Sequence, residues 1–322
     1  MTQLRTAAVV PNRNGERWLE ACLEALGAQS RPFEEVIVVD DASDDGSLAL
    51  LRSRGDVRVV ELTANRGFAA AVNAGIAAAR DVDAVALVNT DVVLAPDWHE
   101  RLAAALEADP GAGAVASKMV SLADPAVLDD TGDFLRRDGA CEQRGRGRRD
   151  DGRWDEPGEV FSACAGAALY RRAALDAVGG FEERFFAYLE DVDLGLRLRL
   201  AGWGCRYEPA VARHAGGGSA AQLARPAAFW VERNTLLLCA RAFPLRWLVP
   251  VAYRQLAWLV AAARAGTLGT HVRGALAALP LLPAMLRERR ALRRGAAVAI
   301  DEVVGPRPWR GPRAGGHPRA GF

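Results

Sequence analysis

The chain of 322 residues has almost no lysine: Lys118 is the sole one, and its positive charge is otherwise arginine. With 41 basic and 40 acidic residues the net charge is +1, so there is no global electrostatic case for binding nucleic acid. Cysteine is sparse. Cys22, Cys141, Cys164, Cys205 and Cys239 are odd in number and form no C-x-x-C pair. That argues against a disulfide framework or a zinc cluster and for reduced thiols in a cytoplasmic protein. Long apolar runs are missing too. The nearest, residues 245–263, is broken by Arg246, Pro250 and Arg254 and falls short of the roughly 18–20 uninterrupted residues a membrane span needs. No signal-peptide pattern precedes the apolar stretch 7–10, and no internal repeat is visible. What remains is globular: half the residues are hydrophobic and a quarter charged. The length suits one large domain, or one and a half ordinary ones.

Strand and helix patterns alternate through the first third. Strands are expected at 7–11, 36–41, 57–62, 84–89 and 113–120, and helices at 16–28, from 47, at 68–80 and at 96–108. This rhythm predicts a mostly parallel sheet covered by helices. Residues 142–159 are Arg, Gly, Asp and Pro with little apolar content, and read as an exposed, mobile loop. Helices are expected at 171–178 and 191–201, with a late strand at 206–210. From residue 225 the chain reads as helical, and 305–322, rich in Gly, Pro and Arg, as disordered.

The candidate chemistry lies at strand ends. Val36–Val39 is a buried-strand run, and Asp40 and Asp41 stand where it leaves the sheet. Ligands of open α/β sheets bind beyond the carboxyl ends of strands. These carboxylates suit donors on a sugar or base, or a cation that bridges to phosphate. Leu87-Val88-Asn89-Thr90-Asp91 repeats the arrangement. Asp91 there is either a capping residue or a ligand for a hard cation, and Asn89 a neutral ligand or a sugar contact. A third acidic group, Glu190, Asp191 and Asp193, follows the aromatic run Phe185-Phe186-Ala187-Tyr188. Capping explains carboxylates at a helix start; a general base is the alternative, because burial beside aromatics raises a carboxylate pKa toward the useful range. His214 precedes Gly216-Gly217-Gly218-Ser219 and could complete a metal site with Asp91 or merely border a flexible loop. Asn65 follows the third strand, Gly67 permits a tight entry into the next helix, and Asn73 reads as a tie between loops.

Taken in order, VVDDASDDGS, NRGFAAAVNAGI, NTD, GAALYRRAALDAVGGFEERFFAYLEDVDLGLRLRLAGW and a following histidine resemble the family 2 nucleotide-sugar glycosyltransferases. The resemblance spans residues 7–244 and is strongest to the rhamnosyltransferase-type enzymes of bacterial cell-wall and surface-polysaccharide assembly. It implies a GT-A, Rossmann-like fold: a mostly parallel central sheet flanked by helices, with a helical C-terminal extension. Residues 1–243 would form the glycosyltransferase domain (nucleotide half about 1–120, acceptor half about 121–243), residues 244–304 the extension and 305–322 the tail. By the same resemblance Pro11 and Asn12 line the nucleotide pocket, Asp41 accepts the N3–H of uracil or thymine, and Asp40 braces the loop or contacts the ribose. Asn65 and Asn89 join the nucleotide-sugar set. Asn89-Thr90-Asp91 stands at the family's DxD position with Asn in place of the first Asp, leaving Asp91 as the main ligand of Mg²⁺ or Mn²⁺ and His214 as the second. Glu190-Asp191 matches the family ED motif, with Asp191 as general base, Glu190 orienting the acceptor and Asp193 as the rival base.

The expected reaction is therefore an inverting transfer from dTDP-rhamnose or a UDP-sugar to a glycan or lipid-linked acceptor. The Q-x-x-R-W motif of processive synthases is absent, which favours transfer of single residues. Two other classes compete. A nucleotidyltransferase that makes the sugar nucleotide would need a basic, glycine-rich phosphate loop, for which Pro11-Asn12-Arg13-Asn14-Gly15 is a poor substitute. A non-catalytic sugar-nucleotide-binding scaffold would not need the intact acidic sites. Arg233 and Asn234 touch the diphosphate or cap neighbouring elements. The C-terminal helices, with Trp247, Tyr253, Trp258 and the arginines between 287 and 294, fit either a peripheral contact with the inner face of the cell membrane or a helical subdomain or oligomer interface.

Overall fold

The computed structural model describes residues 3–216 and 225–305; Gly217, Gly218 and Ser219 of the glycine run, and the tail from 306, lie outside the described residues. The first half alternates as the apolar pattern requires: β1 (Thr6–Asn12), α1 (Glu16–Gly27), β2 (Glu35–Asp40), α2 (Ser47–Ser53), β3 (Arg58–Glu61), α3 (Phe68–Ala78), β4 (Ala84–Val88), the short β5 (Val92–Leu94), α4 (Trp98–Ala108) and β6 (Ala112–Ser121). The second half adds β7 (Leu128–Asp130), β8 (Asp133–Leu135), β9 (Cys141–Gln143), β10 (Gly158–Glu159), β11 (Ala167–Arg171), α5 (Arg172–Val178), α6 (Glu190–Leu200) and β12 (Gly204–His214). Helices then follow: α7 (Ala227–Ala242), α8 (Leu248–Arg264), α9 (Leu268–Ala278), α10 (Leu282–Arg294) and α11 (Ile300–Val303).

The main sheet has the order β10-β12-β6-β11-β4-β1-β2-β3, with β5 on β12 and β7 on β6. Strands β3, β2, β1 and β4 run parallel, as βαβ crossovers demand. The next strand, β11, is antiparallel to both β4 and β6, so the second half of the sheet is mixed. Strand β12 runs parallel to β6, and its C-terminal end therefore reaches the same edge as those of β1, β2 and β4. It is longer than the expected 206–210. Pro209 has no N–H to give the ladder, and the register shifts between Tyr207 and Val211 before pairing resumes to His214.

Apolar residues pack on both faces of the sheet. One face carries Val9, Ile37 and Leu87 under α3, and the other Val10, Val38 and Val88 under α1 and α4. A third core joins α6, α7 and the C-terminal helices through Phe185, Leu196, Leu237, Trp247 and Met285. The segment 142–159 is exposed along most of its length, as its composition suggests, but it is anchored to the body of the fold. Trp154 is 2% exposed and packs with Val120 and Leu128. The Tyr207 hydroxyl donates to the Trp154 carbonyl at 2.7 Å, and the sole lysine, Lys118, pairs with Asp150 and Asp155. One buried ring and one buried ammonium anchor a segment whose composition is otherwise that of solvent-facing chain.

His99 on α4 gives the scaffold a defined acid sensitivity. The ring is buried, stacks on Phe33 at 4.0 Å, and its Nδ1–H donates to the Arg31 carbonyl at 2.7 Å. Burial pushes its pKa down to about 4, below the roughly 6.5 of an unfolded histidine. The unfolded chain thus takes up a proton between those values and the folded one does not, so stability falls as pH drops through that window. Urea titrations at pH 7 and 4.5 should show a loss of about 2–3 kcal/mol from this group, absent in His99→Gln. An identical pH dependence in that variant would contradict the assignment.

Candidate active site

The donor side is built where β1 and β2 end side by side, Asn12 opposite Asp40. The Asn12 amide donates to Asp40 Oδ1 at 2.8 Å. Asp40 also accepts from the Ser43 hydroxyl at 2.6 Å and the Ser43 N–H at 3.0 Å. Asp40 is thus the brace of this turn, buried behind the surface, whereas Pro11, Asn12, Arg13 and Asp41 line the adjoining cleft. Asp41 accepts backbone N–H bonds from Arg66 at 2.7 Å and Gly67 at 2.9 Å, one on each oxygen. A second lone pair remains on each oxygen. Burial raises the Asp41 pKa and the two N–H bonds oppose the rise. Asn65 lines the same wall and turns its Oδ1 to the Gly67 N–H at 3.1 Å. Gly67 has φ +84°, and a Cβ there would lie 2.5 Å from the Phe186 ring, so only glycine fits. Asn73 ties α3 to Phe181, donating to its carbonyl at 2.8 Å and accepting its N–H at 2.9 Å.

Asn89 and Asp91 follow β4, and the pairing of β5 with β12 puts His214 opposite Val92. His214 Nε2 lies 3.3 Å from Asp91 Oδ1, and its Nδ1 lies 2.6 Å from Asp129 Oδ2. One imidazole therefore sits between two carboxylates. Burial would lower its pKa, but the bonds to Asp129 and Asp91 outweigh burial and raise it to about 9. Asp129 is held below its ordinary range by His214 despite its burial. Asp129 is absent from the sequence-based set. Leu128-Asp129-Asp130-Thr131-Gly132 does carry the strand-end acidic signature of the first site, which is the signal that could have found it. Asp133 lines the cleft as well and is pushed up by burial and by Asp130 and Asp191.

The third wall is the aromatic run and the start of α6. Phe186, Tyr188 and Leu189 all have positive φ, at 65°, 70° and 64°. Phe186 (ψ −63°) forms a γ-turn of the strained hand, closed by the Ala187 N–H to the Phe185 carbonyl at 2.7 Å. Such conformations in bulky residues cost on the order of 1–3 kcal/mol each and persist only where the surroundings enforce them. Helix α6 enters closely at Gly195, where a Cβ would stand 2.2 Å from Ser162. That approach brings Asp191 Oδ2 to within 3.3 Å of the Ala165 N–H, while its Oδ1 accepts the Val192 N–H at 2.8 Å. Burial raises the pKa of Asp191, and burial plus Asp191 raises that of Glu190, whose Oε2 has no hydrogen-bond partner. Asp193 points away: it is 1% exposed and bonds Arg197 at 2.7 Å and Arg241 at 2.9 Å. Two arginines neutralise it, and it does not line the cleft.

These walls enclose one cleft of about 660 Å³. Pro11, Asn12, Asp41, Asn65, Asn89, Asp91, Glu190, Asp191 and His214 all line it, and Asp40 alone of the expected set does not. Asp129 and Asp133 add to the acidic lining, against Arg13, Arg146 and His214. Arg13 already donates to the carbonyls of Asp41 and Ala42. The donor set fits a divalent cation. Asp91 Oδ2 is buried without a hydrogen-bond partner, and Oδ1 faces only the His214 imidazole at 3.3 Å, itself oriented by a second carboxylate. Among the described residues no group of three or more ligating side chains forms a ready-made cage. Hard cations with few protein ligands take the rest from phosphate and water.

Comparison with known proteins gives the family and the fold. The chain is 32% identical over 218 residues to an N-acetylglucosaminyl-diphospho-decaprenol L-rhamnosyltransferase of Mycobacterium tuberculosis, a match covering 59% of this chain and 69% of the relative. Among solved structures it resembles GalNAc-T7 with UDP, GalNAc and Mn²⁺ (TM-score 0.60, 13% identity, 74% of this chain and 48% of the other). It also resembles the mannosyltransferase PcManGT of Pyrobaculum calidifontis with GDP-Man and Mn²⁺ (TM-score 0.52, 22% identity, 92% and 86%). These structural likenesses carry the fold, which is GT-A. The profile described as Glycosyl transferase family 2 matches residues 7–179, more than half of the sequence, and the chain belongs to that family of enzymes.

Proposed function

We propose that this glycosyltransferase inverts the anomeric centre, moving one sugar from dTDP-rhamnose or a UDP-sugar to a hydroxyl of a glycan or lipid-linked acceptor in cell-wall or surface-polysaccharide assembly. The observation that carries the reading is the opening of Asp41, the Asp91–His214 pair and Asp191 onto one cleft. Asp41 reads the N3–H of the pyrimidine, with Pro11, Asn12, Asn65 and Asn89 along the nucleotide sugar. Asp191 takes the proton of the acceptor hydroxyl, and Glu190 orients that acceptor. The acceptor oxygen then bonds to the anomeric carbon as the bond to the nucleoside diphosphate breaks on the opposite face, and the electron pair leaves with the diphosphate. Asp91 and His214 would hold Mg²⁺ or Mn²⁺, which neutralises charge on the departing diphosphate. The relative's name, with its diphospho-decaprenol, supports a lipid-linked acceptor and the rhamnosyl donor.

The domain division follows the same reading: 1–243 as the catalytic unit, with halves meeting near 120, and 244–304 as the extension. No described helix is long and apolar enough to cross a membrane. Yet Val249, Tyr253, Leu256 and Val260 form an exposed stripe on α8, and Leu268, Val272 and Leu276 another on α9. Both follow helical spacing, and Arg264 on α8 and Arg273 on α9 are exposed as well. Apolar stripes flanked by arginine suit a peripheral seat on anionic lipid at the inner face of the membrane, close to a lipid-linked acceptor.

Three outcomes test this. Positioned base catalysis supplies about 10²–10⁴-fold, so Asp191→Asn should lose at least about 100-fold in turnover on the donor that the wild type accepts from a nucleotide-sugar panel. Nucleoside diphosphate release that persists at the wild-type rate rejects the base assignment. Asp129→Asn should weaken Mn²⁺ activation by about 10–100-fold through loss of ligand orientation, read as the shift in Mn²⁺ midpoint; an unchanged midpoint contradicts it. In flotation assays the full chain should bind phosphatidylglycerol vesicles more than phosphatidylcholine ones and lose this with Tyr253→Asp and Leu256→Asp. A full chain that ignores both vesicles and sediments as a dimer would make this face an oligomer interface.

A further inference from the structure

Asp191 follows directly on a stretch of backbone that cannot hold itself. Between Phe185 and Leu189 three non-glycine residues adopt positive φ. The same stretch leaves a row of carbonyls facing α7, and two consecutive residues of that helix meet them. The Asn234 Nδ2 lies 2.9 Å from the Phe185 carbonyl, 2.8 Å from that of Ala187 and 2.7 Å from that of Tyr188. Three acceptors converging on one atom fix the orientation of the amide, since only its NH₂ end can face them. Arg233 donates to the Arg184 carbonyl and, at 3.4 Å, to that of Phe185. Asn234 is 0% exposed, so no water would replace these donors.

We propose that Asn234, seconded by Arg233, is a positioning residue for the catalytic base: it fixes the left-handed backbone of Phe185–Leu189 and so sets where the Asp191 carboxylate stands. The proposal rests on the assignment of Asp191 as base. The clamp is mounted on a rigid element. Helix α7 runs from Ala227 to Ala242, with Leu237 and Leu238 fully buried in the third core. Its Trp230 stacks on Phe186 at 4.7 Å, interplanar angle 11°. The far side of the stretch is held by the donor half, where the Ala69 N–H donates to the Phe186 carbonyl at 3.3 Å. Past Asp191, α6 is seated independently by the close contact of Gly195 with Ser162. Loss of the amide therefore frees the few residues before the base while both helices stay packed. A displacement of about 1 Å in a reacting group can cost about 100-fold in rate.

The test compares Asn234→Ala, Asn234→Asp and Arg233→Met with wild type and Asp191→Asn, using the full chain, Mn²⁺ and the donor that the wild type turns over. Asn234→Asp keeps the shape but turns a carboxylate oxygen toward three carbonyl oxygens. Both Asn234 variants should lose about 100-fold in kcat while the KM for the nucleotide sugar and the stoichiometry of Mn²⁺–nucleotide binding stay at wild-type values. Arg233→Met, which removes the guanidinium that donates to the Arg184 and Phe185 carbonyls and lies over Trp230 at 5.0 Å, should lose about 10-fold; it supplies the reading if an Asn234 variant does not fold. A purely structural role would lower the melting temperature and the nucleotide-binding fraction but leave kcat per bound site unchanged, and that result overturns the proposal. If Asp191→Asn keeps wild-type turnover, the base assignment fails first. If Asp191→Asn is inactive while the folded Asn234 and Arg233 variants turn over normally, the positioning role alone fails.

Discussion

The cleft concentrates negative charge that the fold does not cancel. Asp41, Asp91, Asp129, Asp133, Glu190 and Asp191 all open onto it. Crowded carboxylates out of water resist ionisation, and burial raises Asp41, Asp133, Glu190 and Asp191 accordingly. One imidazole, squeezed between Asp91 and Asp129, is the main internal counterion and is itself raised to about 9. Asp91 and His214 would hold a divalent cation there, the imidazole being already oriented by Asp129. The same surroundings raise the pKa of Glu190 and Asp191. On the proposed assignments, metal affinity and base strength would share one cause, the burial of like charge at a single sheet edge.

Strain is the second expense of the site, and it is met from outside the sheet. The turn that delivers Glu190 and Asp191 holds Phe186, Tyr188 and Leu189 in conformations that glycine would adopt more readily. The side chains are nevertheless useful there: Phe186, Tyr188 and Leu189 line the cleft, and Phe186 stacks on Trp230. Helix α7 offsets the cost by satisfying the carbonyls of the turn, and the C-terminal helices in turn bury the far face of α7. The helical region in this sense supports the turn that precedes Asp191.

Strand ends were the most legible feature of the sequence. Apolar runs ending in Asn12, Asp41 and Asn89 locate the sheet edge, and the order of motifs identifies the family. Contacts between distant segments were not legible. The bond of Asp129 to His214 spans 85 residues and depends on β7 and β12 flanking β6. Periodicity specifies a strand without its neighbour or direction, so the antiparallel insertion of β11 between β4 and β6 left no trace in the pattern. Segment 142–159 is mostly exposed, as its polar composition implies, but the anchors that tie it down, a buried Trp154 and the Lys118 ammonium on Asp150 and Asp155, were not legible in that composition. Asp193 and Asp191 are two residues apart on one helix and carry the same chemical group, and only the arginines behind Asp193 separate their roles.

The central claim is that the donor, the cation and the base act in a single cleft. Diffraction from crystals soaked with Mn²⁺ and the nucleoside diphosphate of the accepted donor, recorded at the manganese edge, tests it most directly. The account predicts one anomalous peak between Asp91 and His214, the pyrimidine edge on Asp41, and the Asp191 carboxylate open on the acceptor side of the diphosphate. A peak away from the Asp91–His214 pair, or a nucleotide seated in another cavity, would contradict it.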